Sequence, residues 1–261
     1  MIKKRVILSV VVLLLFPYLG MAQSSPKKVL WVGNSYTYFH DLPKIVEQLA
    51  SEQGQQLTIT PVLKGGERFK GHLTNPRLLE LLKQGGWDYV VLQEQSTLPA
   101  GPTVKVAEEV YPYAHTLDSL AHAASPDTHV VYYMTWGHRY GSIYDMWGDY
   151  PMYKTYEGMQ IRLTTSYIEM AYANGGLCAP VGIAWKMVRS ERPDINLYEP
   201  DNFHPSLEGS WLAANVLTAT LIGQTFQPAT LPDIDASDAR YLSLVAMKAV
   251  REMETLTLMN Q

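Results

Sequence analysis

Two short segments near opposite ends of the chain carry residue types that can do nucleophilic chemistry. Gly33-Asn34-Ser35-Tyr36-Thr37 follows a short apolar run and places a serine where a glycine permits a sharp turn. Asp201-Asn202-Phe203-His204-Pro205-Ser206 lies just ahead of a helical period, with an acid and an imidazole three places apart. At that spacing the carboxylate can accept a hydrogen bond from one ring nitrogen of His204, leaving the other to face outward as a base. Asp201 would then fix the tautomer and stabilise the imidazolium, and Ser35 becomes a candidate nucleophile if its proton can reach that base. Each segment also has an ordinary explanation, since Gly-Asn-Ser is common turn chemistry and an Asp beside a surface His can simply close a turn.

The elements that must position these residues alternate between strand and helix. Val29 to Val32 reads as a strand buried on both faces, ending at Gly33. Asp41 and Pro43 open a helix whose apolar places Leu42, Ile45, Val46, Leu49 and Ala50 repeat at helical spacing up to Gly54. Further strands are expected at Leu57 to Leu63, Asp88 to Leu92 and Val130 to Met134, and the run from Leu177 to Ile183 is expected to be the fifth strand or its approach. Helices are expected on Leu78 to Leu82, at Val104 to Ala124 and Tyr156 to Ala173, and near Leu207 to Leu221 and Ser237 to Leu256. The alternation predicts a three-layer α/β sandwich with a mostly parallel, flavodoxin-like five-stranded sheet covered by helices on both faces. In such a sheet ligands bind beyond the carboxyl ends of the strands, where Ser35 falls.

In order and spacing, Gly33-Asn34-Ser35 and Asp201-x-x-His204-Pro205 resemble the first and last blocks of the SGNH (GDSL) hydrolase superfamily. The resemblance spans nearly the whole chain after its first residues, and Asn34 stands where the family usually has Asp. It implies a serine esterase with Ser35 as nucleophile, His204 as general base and Asp201 as its orienting partner. It also implies an oxyanion hole built from the Ser35 N–H, the N–H of Gly66 in Lys64-Gly65-Gly66-Glu67-Arg68, and a side-chain amide after the third strand. That third block departs from the family pattern, reading Leu92-Gln93-Glu94-Gln95-Ser96 where Gly-x-Asn-Asp is usual. A glutamine amide can donate as an asparagine does. Gln93 is expected in that role in preference to Gln95, because it stands nearer the strand end.

Gly141 to Tyr153 is the longest segment without a clear period, rich in Tyr and Trp, and reads as a loop over the end of the fourth strand. Flat aromatic faces suit sugar rings, so Trp136 and Trp147 are candidate substrate contacts, as are His138 and Arg139 after the same strand. The same aromatics would serve equally to pack the loop onto the sheet. The expected substrate is a carbohydrate ester, most plainly an acetyl ester. A lipid ester or thioester, and a catalytically impaired carbohydrate-binding protein on the same fold, are the alternatives.

Composition narrows the field. The 261 residues include 21 basic and 25 acidic side chains, which gives no general grip on nucleic acid or anionic membrane. The single cysteine, Cys178, excludes an intramolecular disulfide and any multi-cysteine metal centre. No cofactor and no metal is expected. Lys3, Lys4 and Arg5 ahead of the apolar run Val6 to Phe16, with Gly20-Met21-Ala22 after it, read as a cleaved signal peptide over residues 1–22. Its removal would take the formal charge from -4 to -7, because three basic and no acidic residues leave. With no lipidation cysteine, the expectation is a periplasmic or secreted protein whose residues 23–261 form one hydrolase domain, without stable insertion in the membrane.

Overall fold

The computed structural model describes residues 25–223 and 227–258; the expected signal peptide lies outside them. Five strands, β1 (Lys27–Gly33), β2 (Leu57–Leu63), β3 (Tyr89–Leu92), β4 (His129–Tyr133) and β5 (Leu177–Ala179), pair in the order β2-β1-β3-β4-β5, all parallel. This is the doubly covered, flavodoxin-like order that the alternation predicts, with the chain turning back across β1.

Residues on each inner strand divide between two apolar layers with period two. Val29 and Trp31 of β1, Val91 of β3, and Val131 and Tyr133 of β4 face a layer covered by α2 (Leu42–Glu52), α8 (Val181–Glu191), α9 (Leu207–Ile222) and α10 (Ala236–Leu258). Leu30, Val32, Val90, Leu92, Val130 and Tyr132 face the other layer, under α4 (Pro76–Gln84), α5 (Thr103–Glu109), α6 (Tyr111–Ala124) and α7 (Tyr156–Asn174). Burial on both faces is what removes the polar alternation from these strands.

Two elements differ from the sequence reading. The run expected as a strand from Leu177 to Ile183 is a strand only to Ala179. Pro180 then starts α8, its carbonyl accepting from the N–H groups of Ile183 and Ala184. Proline cannot donate to a ladder, and Val181, Ala184, Trp185 and Val188 bury one helical face. The helix expected from Val104 to Ala124 is broken at Val110, whose φ of -124° and ψ of -59° precede Pro112 and separate α5 from α6. No described helix is long and apolar enough to cross a membrane.

Candidate active site

Ser35 is the first residue of the four-residue helix α1 (Ser35–Tyr38), directly beyond the carboxyl end of β1. Asn34, buried, forms the turn: its Oδ1 accepts from the Tyr36 N–H at 3.2 Å, capping the helix. Gly33 is required by crowding, since a Cβ there would lie 2.7 Å from Thr37 Oγ1 and 2.8 Å from Gln93 Oε1.

The Asp201–His204 segment is a tight loop held to its neighbours by main-chain bonds. Glu199 N–H donates to His204 O, Asn202 N–H to Glu199 O, and Arg139 N–H to Asn202 O. Asn202 adopts a φ of 68°, a conformation Asn tolerates better than most residues. The indole of Trp136 donates to Phe203 O at 3.1 Å.

These two loops bring Ser35, His204 and Asp201 together. His204 Nε2 lies 2.9 Å from Ser35 Oγ, and His204 Nδ1 lies 2.7 Å from Asp201 Oδ2. The second Asp201 oxygen accepts from the N–H groups of Phe203 and His204, at 3.0 and 2.9 Å. Partial burial acts to raise the Asp201 carboxyl, but these two N–H groups and the His204 ring outweigh it and hold the acid below the usual carboxylate range. An ionised Asp201 fixes the proton on Nδ1, so Nε2 is the acceptor facing the serine hydroxyl. The imidazole is held in place by aromatic rings: Phe39 stacks on it, Phe203 lies tilted against it at 4.3 Å, and Tyr36 meets it edge-on at 5.8 Å.

Gly66 occupies the turn after β2, with φ +66° and room around its α-carbon. Lys64 N–H donates to Gly33 O and Asn34 Nδ2 donates to Glu67 O at 3.1 Å, so this turn is fastened beside the serine. Among the described residues neither the Ser35 nor the Gly66 N–H has an acceptor, which leaves both available to an oxyanion.

The side-chain amide expected from Gln93 is not available. Gln93 is fully buried: its Oε1 accepts from Asn34 N–H and Thr37 Oγ1, each at 3.0 Å, and its Nε2 donates to Asn34 Oδ1 and Glu94 O. It braces the turn that carries Ser35. β3 ends at Leu92, so strand alternation no longer governs where side chains 93 to 96 point. Gln95 is half-buried and its carbonyl caps the next turn through Thr97 and Leu98 N–H, but its Nε2 has only a 3.5 Å contact to Ser96 Oγ. Of the two amides, Gln95 has the one free to act.

The substrate contacts expected along β4 are also redistributed. Trp136 is fully buried, stacked between Tyr36 and Trp185 at 4.4 and 4.0 Å, and supports the triad loop instead of facing ligand. Trp147 lies on Gly101, where a Cβ would come within 2.7 Å of its ring, and is partly buried against the second apolar layer. Arg139 is turned away onto the Tyr198 ring and Asn196. His138 is 2% exposed, between Phe203 and Tyr144, with neither ring nitrogen hydrogen-bonded; burial pushes its pKa down to about 4.

Several residues of the site escaped sequence reasoning: Phe39 and Phe203 around the imidazole, Gln93 in its bracing role, and Glu94. Asn34 stands where the SGNH pattern noted above has an aspartate, and its amide makes contacts that an acid could not. The Asn34 Nδ2 donates to two carbonyls, Glu67 O and Glu94 O, which a carboxylate could not do.

No family model and no curated protein matches the chain. Solved structures do. A DUF4886 family protein from Bacteroides uniformis aligns over 87% of this chain and 95% of its own, at a TM-score of 0.70 and 17% identity. A candidate GDSL-like lipase from Parabacteroides merdae aligns over 76% and 95% (TM-score 0.54, 15% identity). An acetyl xylan esterase from Geobacillus stearothermophilus aligns over 79% and 98% (TM-score 0.51, 14% identity). The chain has the fold of the SGNH (GDSL) hydrolases.

Proposed function

We propose that this protein is an exported serine esterase that removes a small acyl group, acetyl above all, from a carbohydrate. The observation that carries the reading is the continuous chain Ser35 Oγ–His204–Asp201 with both contacts at hydrogen-bond length. Ser35 Oγ attacks the ester carbonyl carbon while its proton passes to His204 Nε2, and Asp201 stabilises the imidazolium. The carbonyl oxygen, now negative, is met by the N–H groups of Ser35 and Gly66 and by the Gln95 amide. Collapse expels the sugar alkoxide, which takes the proton from His204. Water then attacks the acyl-serine with His204 again as base, releasing the carboxylic acid and restoring Ser35.

The sugar part of the reading is supported by exposed side chains on the loop beside the triad. Tyr140 and Ile143 are 74% exposed and Tyr144 44%, and Tyr144 abuts His138 and Phe203 next to the imidazole. Flat half-exposed rings suit the apolar faces of a sugar. Likeness in fold to an acetyl xylan esterase points the same way.

The test is a chain-length series of p-nitrophenyl esters together with acetate release from acetylated oligosaccharides. The expected result is falling kcat/KM from acetate to octanoate, with acetate released from the glycan. A preference for octanoate with no acetate release would assign the enzyme to lipids.

A further inference from the structure

Glu94 takes no part in the steps above, yet its carboxyl is wholly buried directly behind them. A buried acid is costly unless its oxygens are satisfied. Here the Phe69 N–H approaches Oε1 and Oε2 at 3.0 and 3.1 Å, and the Gln95 N–H approaches Oε1 at 2.6 Å. These two donors belong to different loops. Phe69 opens the short helix α3 (Phe69–His72) just after the turn that holds Gly66, and Gln95 follows β3. The Glu94 main chain is engaged as well, its N–H donating to the Tyr167 hydroxyl at 3.3 Å and its carbonyl accepting from Asn34 Nδ2 and Gln93 Nε2. At the other end of α3, His72 Nε2 lies 3.0 Å from Gly33 O.

One residue therefore touches each of the three segments around Ser35: the nucleophile turn through its carbonyl, the Gly66 loop and the Gln95 loop through its carboxyl. We propose that Glu94 is a positioning residue that sets the spacing between the Gly66 and Gln95 loops and so aligns the donors that meet the oxyanion. This rests on the esterase reading of Ser35. The chemistry selects an acid at this place. An apolar side chain accepts nothing; the carboxyl gives Oε1 to both donors and Oε2 to the Phe69 N–H, and a glutamine would set an NH2 against that second Phe69 contact. A shift of about 1 Å in a donor is enough to cost catalysis heavily.

The experiment compares the wild type with Glu94→Gln and Glu94→Asp, the latter an acid too short to span both loops. Thermal melting is recorded with kinetics on p-nitrophenyl acetate and its thionoacetate analogue. Sulfur is a weak hydrogen-bond acceptor, so the preference for the oxygen ester reports the oxyanion donors themselves. Folded variants should lose kcat by about ten- to a hundredfold with KM within about twofold, and their preference for oxygen over sulfur should shrink. Variants that keep both kcat and that preference, whatever their melting temperature, overturn the proposal. If neither variant folds, amide hydrogen exchange on the wild type decides: slow exchange at Phe69 and Gln95 supports the brace, and exchange as fast as in an exposed loop overturns it. A wild type that neither hydrolyses the ester nor reacts at Ser35 with a phosphonate overturns the esterase reading and this proposal with it. That failure is recognised before any Glu94 variant is compared.

Discussion

The ring of Phe39 lies face to face with the imidazole of His204, the centroids 4.2 Å apart and the planes 10° from parallel. The contact does two things. It restricts rotation of the imidazole out of line with Ser35, and it would offer a π face to the imidazolium that the proposed proton transfer forms. Phe39→Leu keeps an apolar filling and loses the face. A contribution of about 1 kcal/mol corresponds to a roughly fivefold fall in kcat. Phe39→Tyr should retain activity; equal rates for the Leu variant and wild type would show the stacking to be idle.

The two departures from the family pattern belong together. Asn34 donates to Glu67 O and Glu94 O, while Gln93 donates to Asn34 Oδ1 and accepts from its N–H. Asn34→Asp would set a carboxylate against two carbonyls, and Gln93→Ala would strip partners from buried polar groups. Each should lower stability by about 1–3 kcal/mol in urea unfolding, as unsatisfied buried groups do. A Gln93→Ala protein as stable as the wild type would contradict the bracing role.

Gln95→Glu separates the two ends of that side chain. The remaining oxygens can still cap Thr97 and Leu98 N–H, but the amide donor is gone. Melting temperature should change little while kcat falls about a hundredfold, the usual cost of one oxyanion donor. Unchanged kcat would mean the hole has only its two backbone arms.

Two buried ionisable groups give the stability curve opposite slopes. His138 is held down to about 4 by burial, with Asp201 opposing and His204 adding to the shift, whereas an unfolded His titrates near 6.5. As pH falls from about 6.5 to 4 the unfolded chain gains a proton that the folded one refuses, so stability drops. Glu94 is pushed up to about 8 by burial, which its N–H contacts and Arg68 offset only in part. Its contribution is full below the unfolded value of about 4.3 and is lost as pH rises toward 8. Melting temperatures across pH should flatten on the acid side in His138→Gln and on the neutral side in Glu94→Gln. Parallel curves for variants and wild type would contradict both assignments.

Gly33→Ala tests the crowding beneath the nucleophile. The added methyl meets Thr37 Oγ1 and Gln93 Oε1, both already committed to each other at 3.0 Å. Overpacking of this kind costs about 1–3 kcal/mol, and activity should fall with it because the Asn34–Ser35 turn is displaced. Normal stability and activity would show that the turn relaxes freely.

Much of the site was legible because its chemistry is local in sequence. Asp201 and His204 sit three places apart, and Ser35 follows a glycine at the end of a recognisable buried strand, so their meeting needed only the parallel-sheet topology. Gln93 differs from the expectation because nearness to the strand end says nothing of what an amide is bonded to: its partners, Asn34 and Thr37, lie 59 and 56 residues away in the chain. Trp136 and Trp147 were read as contacts from composition, which cannot tell a ring stacked in the interior from one at a rim. Glu94 was invisible for a different reason. One of the two donors that justify burying it, the Phe69 N–H, comes from a segment 25 residues away.

The most direct measurement is mass spectrometry of the intact and digested protein after treatment with an organophosphonate ester, paired with p-nitrophenyl acetate hydrolysis. One adduct on Ser35, formed in step with loss of activity and absent in Ser35→Ala and strongly slowed in His204→Ala, is the expected result. Hydrolysis that persists undiminished in Ser35→Ala, or an adduct at another residue, would contradict the account.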